Sequence, residues 1–338
     1  MWNILKFKIK QRGGMNKLNA SYDVIGDVHG QVDKLEGLML KMGYVAQGKS
    51  YRAPQGRQAV FLGDLIDRGP GQLRVLEIVK AMVDSGEALC IMGNHEFNAI
   101  AYTVDDPLNP GEALRPNRGV SQRCDKNRQQ HAAFLDQVGE GTALHKQWVQ
   151  WFRTLPVCLD LGGIRVVHGC WNDEAVRQLA QCGWGQDQVL SNELLYQVGQ
   201  HVPPEQESML VRARKLLTCG LELPLPEGRF ILDKSGHRHE EVRVANWRDW
   251  AKEFHEVALV PPGQEAQLAG MEWPAELVIS KIEGSPIFVG HHWFQGHPKI
   301  ESSKLACLDW SAAKEGPLVA YRWDGEQQLS NDKLIWSH

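Results

Sequence analysis

The sequence predicts an α/β fold built on a mainly parallel sheet, and three observations predict it. First, three short apolar runs each end in Gly followed by Asp or Asn: Tyr22-Asp23-Val24-Ile25 before Gly26-Asp27, Ala59-Val60-Phe61-Leu62 before Gly63-Asp64, and Leu89-Cys90-Ile91-Met92 before Gly93-Asn94. Runs this short, bounded by glycine, read as buried strands rather than helices. Second, apolar residues between the runs recur at steps of three and four, the spacing of one helix face. Third, the alternation strand, helix, strand, helix, strand is the order that yields parallel pairing through crossover helices.

Taken along the chain, Val32, Leu35, Leu38, Met39 and Met42 mark the first helix, with Gly43 as its stop. Leu73, Leu76, Ile78, Val79, Met82 and Val83 mark the second, ahead of Gly86. Ile164-Arg165-Val166-Val167 leads into His168-Gly169, and Pro286-Ile287-Phe288-Val289 leads into Gly290-His291. Leu305-Ala306-Cys307-Leu308 and the run from Leu318 to Trp323 read as closing strands. Residues of roughly 105–155 and 172–285 break this rhythm, with Pro203-Pro204, Leu223-Pro224-Leu225-Pro226 and Val260-Pro261-Pro262-Gly263 among them. They read as loops and helical insertions over one edge of the core. The expected organisation is a basic, disordered leader at 1–19 and one domain at 20–338, with an inserted cover at about 172–285.

The bulk composition narrows the function classes. A chain of 338 residues with 43% hydrophobic and 23% charged residues is an ordinary globular sequence, large enough for one sizeable core with insertions. A net charge of -4 argues against a general nucleic-acid binder. The seven cysteines are odd in number and widely spaced, which suits reduced thiols in a cytoplasmic protein better than a disulfide framework. No stretch approaches the apolar length of a membrane span. From Met1 to Leu18 the chain carries Lys6, Lys8, Lys10, Arg12 and Lys17 without an acidic residue and lacks a secretory pattern. It reads as a disordered arm, or as sequence ahead of a true start at Met15, in preference to a membrane-surface tether.

Five polar clusters fall at the C-terminal ends of five expected strands: Asp27 with His29, Asp64 with Asp67 and Arg68, Asn94 with His95, His168, and His291. That edge of an α/β sheet is where ligands bind, because strand ends bring together residues remote in sequence. Asp, Asn and His are the oxygen and nitrogen donors suited to Mn, Fe or Zn. Each cluster alone also fits a plainer role. An Asp after Gly is often an Asx turn or helix cap, a single His is often surface or core, and a single Arg is often a surface cation. Their occurrence at five strand ends favours a shared metal site. His237 and His239 sit in a segment of alternating charge that reads as a solvated hairpin, and Trp247, Trp250 and Trp293 read as packing residues.

Gly26-Asp27-Val28-His29-Gly30, Gly63-Asp64-Leu65-Ile66-Asp67-Arg68-Gly69, Gly93-Asn94-His95-Glu96, His168-Gly169 and Gly290-His291 resemble, in order, the motifs of the calcineurin-like metallophosphoesterases, specifically the phosphoprotein-phosphatase branch. The resemblance covers residues from about 22 to 292. It implies a four-layer α/β/β/α sandwich and two divalent metal ions, manganese ahead of Fe, Zn, Ni or Co. It implies that Asp27 and His29 hold the first ion, that Asp64 bridges both, and that Asn94, His168 and His291 complete the second, with His292 outside the set. It also implies direct attack on phosphorus by a metal-bridging hydroxide. Arg68, with Asn94, would bind the phosphate, His95 would protonate the leaving oxygen, and Asp67 would fix the tautomer of His95.

The continuation His168-Gly169-Cys170-Trp171 lacks the Gly-Gly-Leu-Ser-Pro of eukaryotic-type serine/threonine phosphatases. The resemblance is therefore closer to bacterial members, among them phosphatases similar to the symmetrical diadenosine tetraphosphatases and the phosphatase module of bacterial RNA-repair enzymes. Unlike the diadenosine group, the chain keeps the Asp67-Arg68 pair. Arg212 and Arg214 are candidates for a second phosphate-binding arginine. The expected activity is metal-dependent hydrolysis of phosphomonoesters or nucleotide phosphoanhydrides. A protein serine/threonine or tyrosine phosphatase is the alternative, and a non-catalytic scaffold is disfavoured because every ligand position is filled. Expected partners are a phosphorylated small molecule, a nucleotide or a phosphoprotein, with no membrane.

Overall fold

The computed structural model describes residues 21–338 except 185–188, 201, 203, 233–237, 262, 276 and 280. The leader, both candidate starts and His237 lie outside the described residues.

The elements run as follows. β1 (Ser21–Ile25), α1 (Val32–Lys41), β2 (Val45–Gln47), β3 (Ser50–Arg52), β4 (Arg57–Phe61), α2 (Gln72–Asp84), β5 (Ala88–Cys90) and α3 (Asn94–Thr103) form the first half. Next come α4 (Gln122–Val138), α5 (Ala143–Phe152), β6 (Cys158–Asp160), β7 (Arg165–Val167), α6 (Asp173–Gln181), α7 (Asn192–Val198) and α8 (Met209–Cys219). Then follow β8 (Leu221–Pro224), β9 (Ile231–Leu232), β10 (Arg238–His239), β11 (Glu241–Val244), α9 (Phe254–Val257) and β12 (Ala258–Leu259). β13 (Ile287–Val289), β14 (Leu305–Cys307), β15 (Leu318–Trp323) and β16 (Leu334–Ser337) close the chain.

The strands of the core form two sheets, as the expected α/β/β/α sandwich requires. One has the order β16-β15-β1-β4-β5, the other β14-β13-β7-β6. β1, β4 and β5 pair in parallel, while β15 runs antiparallel to β1 and β16 antiparallel to β15. In the second sheet β7, β13 and β14 are parallel and β6 is antiparallel.

The period-2 alternation of strand side chains decides the layering. Val24, Val60, Val166, Phe288, Ala306 and Val319 share one buried cluster between the sheets. Their neighbours Ile25, Phe61, Val167, Val289 and Cys307 belong to another, shared with α1 and α2 residues such as Leu35, Leu38 and Val79 and with Leu179 and Leu217 of α6 and α8. Sheet on sheet with helices outside both is the α/β/β/α sandwich. Phe134 and Phe152 of α4 and α5 join the same large cluster, so the 105–155 region is built into the core. The 172–285 region divides. α6 and α8 join the main cluster, whereas Leu223, Val242, Val244, Phe254 and Leu268 form a small core of their own around β8, β11 and α9.

The ends of β4 and β5 are locked together by one side chain. Glu96, fully buried in the first turn of α3, accepts from the N–H groups of Gly93 at 2.9 Å, Asp64 at 2.8 Å and Leu65 at 2.8 Å. Glycine is required on both sides of this clamp. A Cβ on Gly63 would stand 2.2 Å from the Gly93 nitrogen, and a Cβ on Gly93 would stand 2.2 Å from Asp64 Oδ1. Glu96→Gln keeps the shape but turns one acceptor oxygen into an N–H₂ donor facing N–H groups. We predict a loss of about 1–3 kcal/mol of stability for each stranded donor. A guanidinium unfolding midpoint equal to wild type would contradict the clamp.

Candidate active site

Five of the cavity-lining positions follow directly from the strand ends. Asp27 follows β1, Asp64 follows β4, Asn94 and His95 open α3 after β5, and His291 follows β13. Together with His29, Arg68, Asn98, Trp293 and Asp309 they line a cavity of about 570 Å³, closed on another side by Gln129, Gln130 and Ala133 of α4 and by Arg243 of β11. His168, after β7, is fully buried behind them.

Asp64 is the hub. Its Oδ2 stands 3.6 Å from His29 Nε2, 3.8 Å from His95 Nε2 and 3.2 Å from His168 Nε2, while its Oδ1 accepts from the His95 backbone N–H at 2.9 Å. Two groups of donors close to within 4.8 Å of one another share it: His29, Asp64 and His95, and Asp64, His168 and His291. Asn94 Oδ1 lies 3.1 Å from His168 Nε2. Asp27 stands outside both groups. Its Oδ2 accepts from the His291 N–H at 3.0 Å, and a Cβ on Gly290 would lie 2.2 Å from its Oδ1. His292 is turned away, its ring edge-on to Trp247 and its Nε2 3.3 Å from the Gly169 carbonyl.

The histidine rings are oriented from behind. His29 Nδ1 lies 2.8 Å from the Ile66 carbonyl, and His168 Nδ1 lies 2.7 Å from the Leu62 carbonyl. With Nδ1 engaged, each Nε2 faces Asp64 and is the nitrogen left to ligate a cation, the arrangement found where imidazoles ligate metals. Asp67 Oδ2 lies 2.5 Å from His95 Nδ1, and its Oδ1 lies 2.8 Å from Nδ1 of His131 in α4.

These residues fit a pair of divalent cations. Asp27 Oδ1 and His291 Nε2 are buried polar atoms without a partner, a costly state that a cation relieves. Oxygen and imidazole donors, with no thiolate among them, suit manganese-like ions. The electrostatics agree. Burial, then the nearby Asp309, pushes the Asp27 carboxyl well above its usual range. Burial also drives His29 and His291 well below theirs, so both rings are neutral. Burial opposes a charge on His168, but Asp64 and Asp27 outweigh it and raise His168 to about 10. His168 therefore carries a proton at neutral pH that a cation must displace.

Sequence reasoning missed several cavity residues. Asp309 lies just past β14 as Asp64 lies past β4, but Leu308 stands before it instead of the glycine that precedes Asp27, Asp64 and Asn94. It accepts from the N–H groups of Trp293 at 2.7 Å and Ser311 at 3.0 Å. Trp293 lines the cavity instead of only packing. Arg243 donates to the His291 carbonyl at 3.1 Å and to Glu222 at 2.9 Å, and lies on the cavity wall. Neither Arg212 nor Arg214 is among the residues that line the cavity. Arg212 is exposed, and Arg214 is buried over Phe97 with its Nε donating to the Val198 carbonyl. His131 sits mid-helix and no motif marks it. His239 is exposed in β10 and outside the cavity lining. Trp247 is buried and Trp250 exposed.

The profile of the calcineurin-like phosphoesterases matches residues 21–241. The asymmetrical bis(5'-nucleosyl)-tetraphosphatase PrpE of Halalkalibacterium halodurans is 47% identical over 83 residues, 25% of this chain and 34% of that protein. The protein of the same name from Bacillus subtilis is 27% identical over 150 residues, 44% of this chain and 57% of its own length. The chain thus spans about a third to just over half of these curated relatives. Among solved structures, a cold-active protein-tyrosine phosphatase of a psychrophilic Shewanella species aligns over 99% of this chain and 85% of its own, at 17% identity and a TM-score of 0.44.

Manganese binding is predicted to release protons, because His168 must lose one, and to tighten between about pH 6 and about pH 8. Titration calorimetry in two buffers of different ionisation enthalpy measures this. No proton release and a flat pH dependence would contradict the site.

Proposed function

The chain belongs to the calcineurin-like phosphoesterase family, and from that premise we propose that it is a metal-dependent phosphoric-ester hydrolase acting on nucleotide phosphoanhydrides or phosphomonoesters. The observation that carries the reading is the convergence of three imidazole Nε2 atoms on one Asp64 oxygen, at 3.2 to 3.8 Å, beside the Asp67–His95 pair. Asp27, His29 and Asp64 would hold one divalent ion, and Asp64, Asn94, His168 and His291 a second, manganese being the best match to this donor set. When bound, such a pair supplies Lewis acidity and lowers the pKa of water.

The chain's own residues supply the rest. Arg68 and Arg243 line one cavity, where their planar forks would bind phosphoryl oxygens, and Asn94 lines the same cavity. His95 would pass a proton from Nε2 to the departing oxygen while Asp67 holds its Nδ1. A carboxylate accepting at Nδ1 fixes the tautomer and the orientation of the ring, so that Nε2 is the nitrogen turned to the substrate side. His95 also falls within ligand distance of His29 and Asp64, so Asp67 has the further task of keeping its ring in place.

A cavity of about 570 Å³ is the size of small-molecule sites, and Trp293 lines it together with the amide side chains of Asn98, Gln129 and Gln130. These features favour a nucleotide-sized substrate over a phosphoprotein, as does the tetraphosphatase name of the relatives. All seven cysteines are unpaired, and no helix of the described residues is long and apolar enough to cross a membrane, which supports a cytoplasmic setting.

The test is to strip the metals, restore Mn²⁺, and compare a phosphomonoester, a phosphodiester, a dinucleoside tetraphosphate and a phosphopeptide. Metal-dependent hydrolysis of the tetraphosphate or monoester is expected, falling at least about 100-fold in Asp64→Asn. Equal rates for the two proteins would sink the proposal, and fastest turnover of the phosphopeptide would favour a protein phosphatase. Arg243→Ala is expected to raise KM about ten-fold through the loss of one charge-assisted hydrogen bond. An unchanged KM would remove Arg243 from the substrate site.

A further inference from the structure

We infer that His131, in the middle of α4, is a positioning residue for the proton donor: by pinning one oxygen of Asp67 it fixes the plane in which the other oxygen holds His95. The inference rests on the reading of His95 as the group that protonates the leaving oxygen.

The geometry is a chain of three side chains. His95 Nδ1 lies 2.5 Å from Asp67 Oδ2, and His131 Nδ1 lies 2.8 Å from Asp67 Oδ1. A carboxylate accepts only, so both Nδ1 atoms donate. All three residues are buried, Asp67 at 2% and His131 at 3% exposure. A carboxylate gripped through one oxygen is free to turn about its terminal torsion, where the wells are broad. Grip on both oxygens removes that freedom. The backbone of Asp67 is held as well, in the left-handed region with φ 69 and with its N–H donating to Gln72 Oε1 at 2.7 Å.

His131 is poorly explained as a packing residue. Its ring lies between Tyr102 at 5.3 Å and Phe134 at 5.0 Å, a pocket that an apolar side chain would fill without loss. Its Nε2 is buried and has no partner. A stranded nitrogen is unfavourable, and the feature that offsets it is the bond from Nδ1 to Asp67. The two histidines reach Asp67 from different elements, α3 and α4.

The consequence is specific to the leaving group. A proton donor matters when the departing oxygen is basic and hardly matters when it leaves as a stable anion. The manganese-loaded wild type, His131→Leu, His131→Gln and His131→Asn are assayed on phenyl phosphate and on 2,4-dinitrophenyl phosphate, with His95→Ala alongside. His131→Leu is expected to lose about ten-fold or more in kcat on phenyl phosphate and less than about three-fold on the dinitrophenyl ester. His131→Gln, whose amide tracks Nε2 and not Nδ1, should behave the same, and it carries the test if the leucine variant does not fold. His131→Asn places an N–H near the Nδ1 position and should recover most of the lost rate.

Equal losses on both esters, or no recovery with Asn, would overturn the inference. Loss of that selectivity in His95→Ala would overturn the acid assignment itself, which is a separate failure. A second readout needs no metal. In the metal-free protein, the His95 Nδ1 proton shared with Asp67 should give a strongly downfield NMR resonance, identified by its absence in His95→Gln. It should broaden or move in His131→Leu and persist in His131→Asn. An unchanged resonance in His131→Leu would also overturn the inference.

Discussion

Three backbone N–H groups converge on one buried carboxylate, and the site hangs from that convergence. Glu96 ties Gly93 to Asp64 and Leu65, so the turn after β4 and the start of α3 move as one piece. Burial, with Asp64 close by, raises the Glu96 pKa to about 6, which still leaves it ionised at neutral pH, the form that accepts all three bonds. Asp64 and His95 are thereby held at hydrogen-bond distance, Asp64 Oδ1 to the His95 N–H. The second sheet then brings His168 and His291 against a hub that is already fixed.

Much of this was legible in the sequence, and the reason is periodicity. The apolar runs ending in Gly-Asp or Gly-Asn marked β1, β4 and β5 to within two residues at either end, and the three-and-four spacing marked α1 and α2. What could not be read was how strands group. Runs such as Val166-Val167 and Phe288-Val289 are buried on both faces, so pattern alone does not reveal that they form a separate sheet. The site divides in the same way. Asp27, Asp64 and Asn94 announce themselves by the glycine between the apolar run and the polar residue, a mark that Asp309 after β14 lacks. Arg243 and His131 reach the site from an inserted sheet and a helix. Their positions are set by tertiary packing, for which the local sequence carries no mark.

Backbone strain is concentrated where the chemistry would be. Among the described residues, seven that are not glycine have positive φ, and six of them are His29, Asp64, Asp67, Arg68, His291 and Trp293. Each such conformation is unfavourable for a side-chain-bearing residue and persists only where the surroundings over-determine it. Here the surroundings are the glycine contacts, the Glu96 clamp and two packed sheets. A softer scaffold would let the turns relax, and the donors around Asp64 would diverge.

α4 plays two parts at once. Its exposed flank, with Gln129, Gln130, Ala133 and Asp136, walls the cavity, and its buried flank carries His131 to Asp67. If His95 delivers the proton as proposed, one rigid rod would couple ligand shape to proton delivery. Redesign of that wall by shifting or rotating the helix would disturb His131 in the same motion. Selection for a new substrate would be confined to exchanging side chains on a helix whose axis stays where it is.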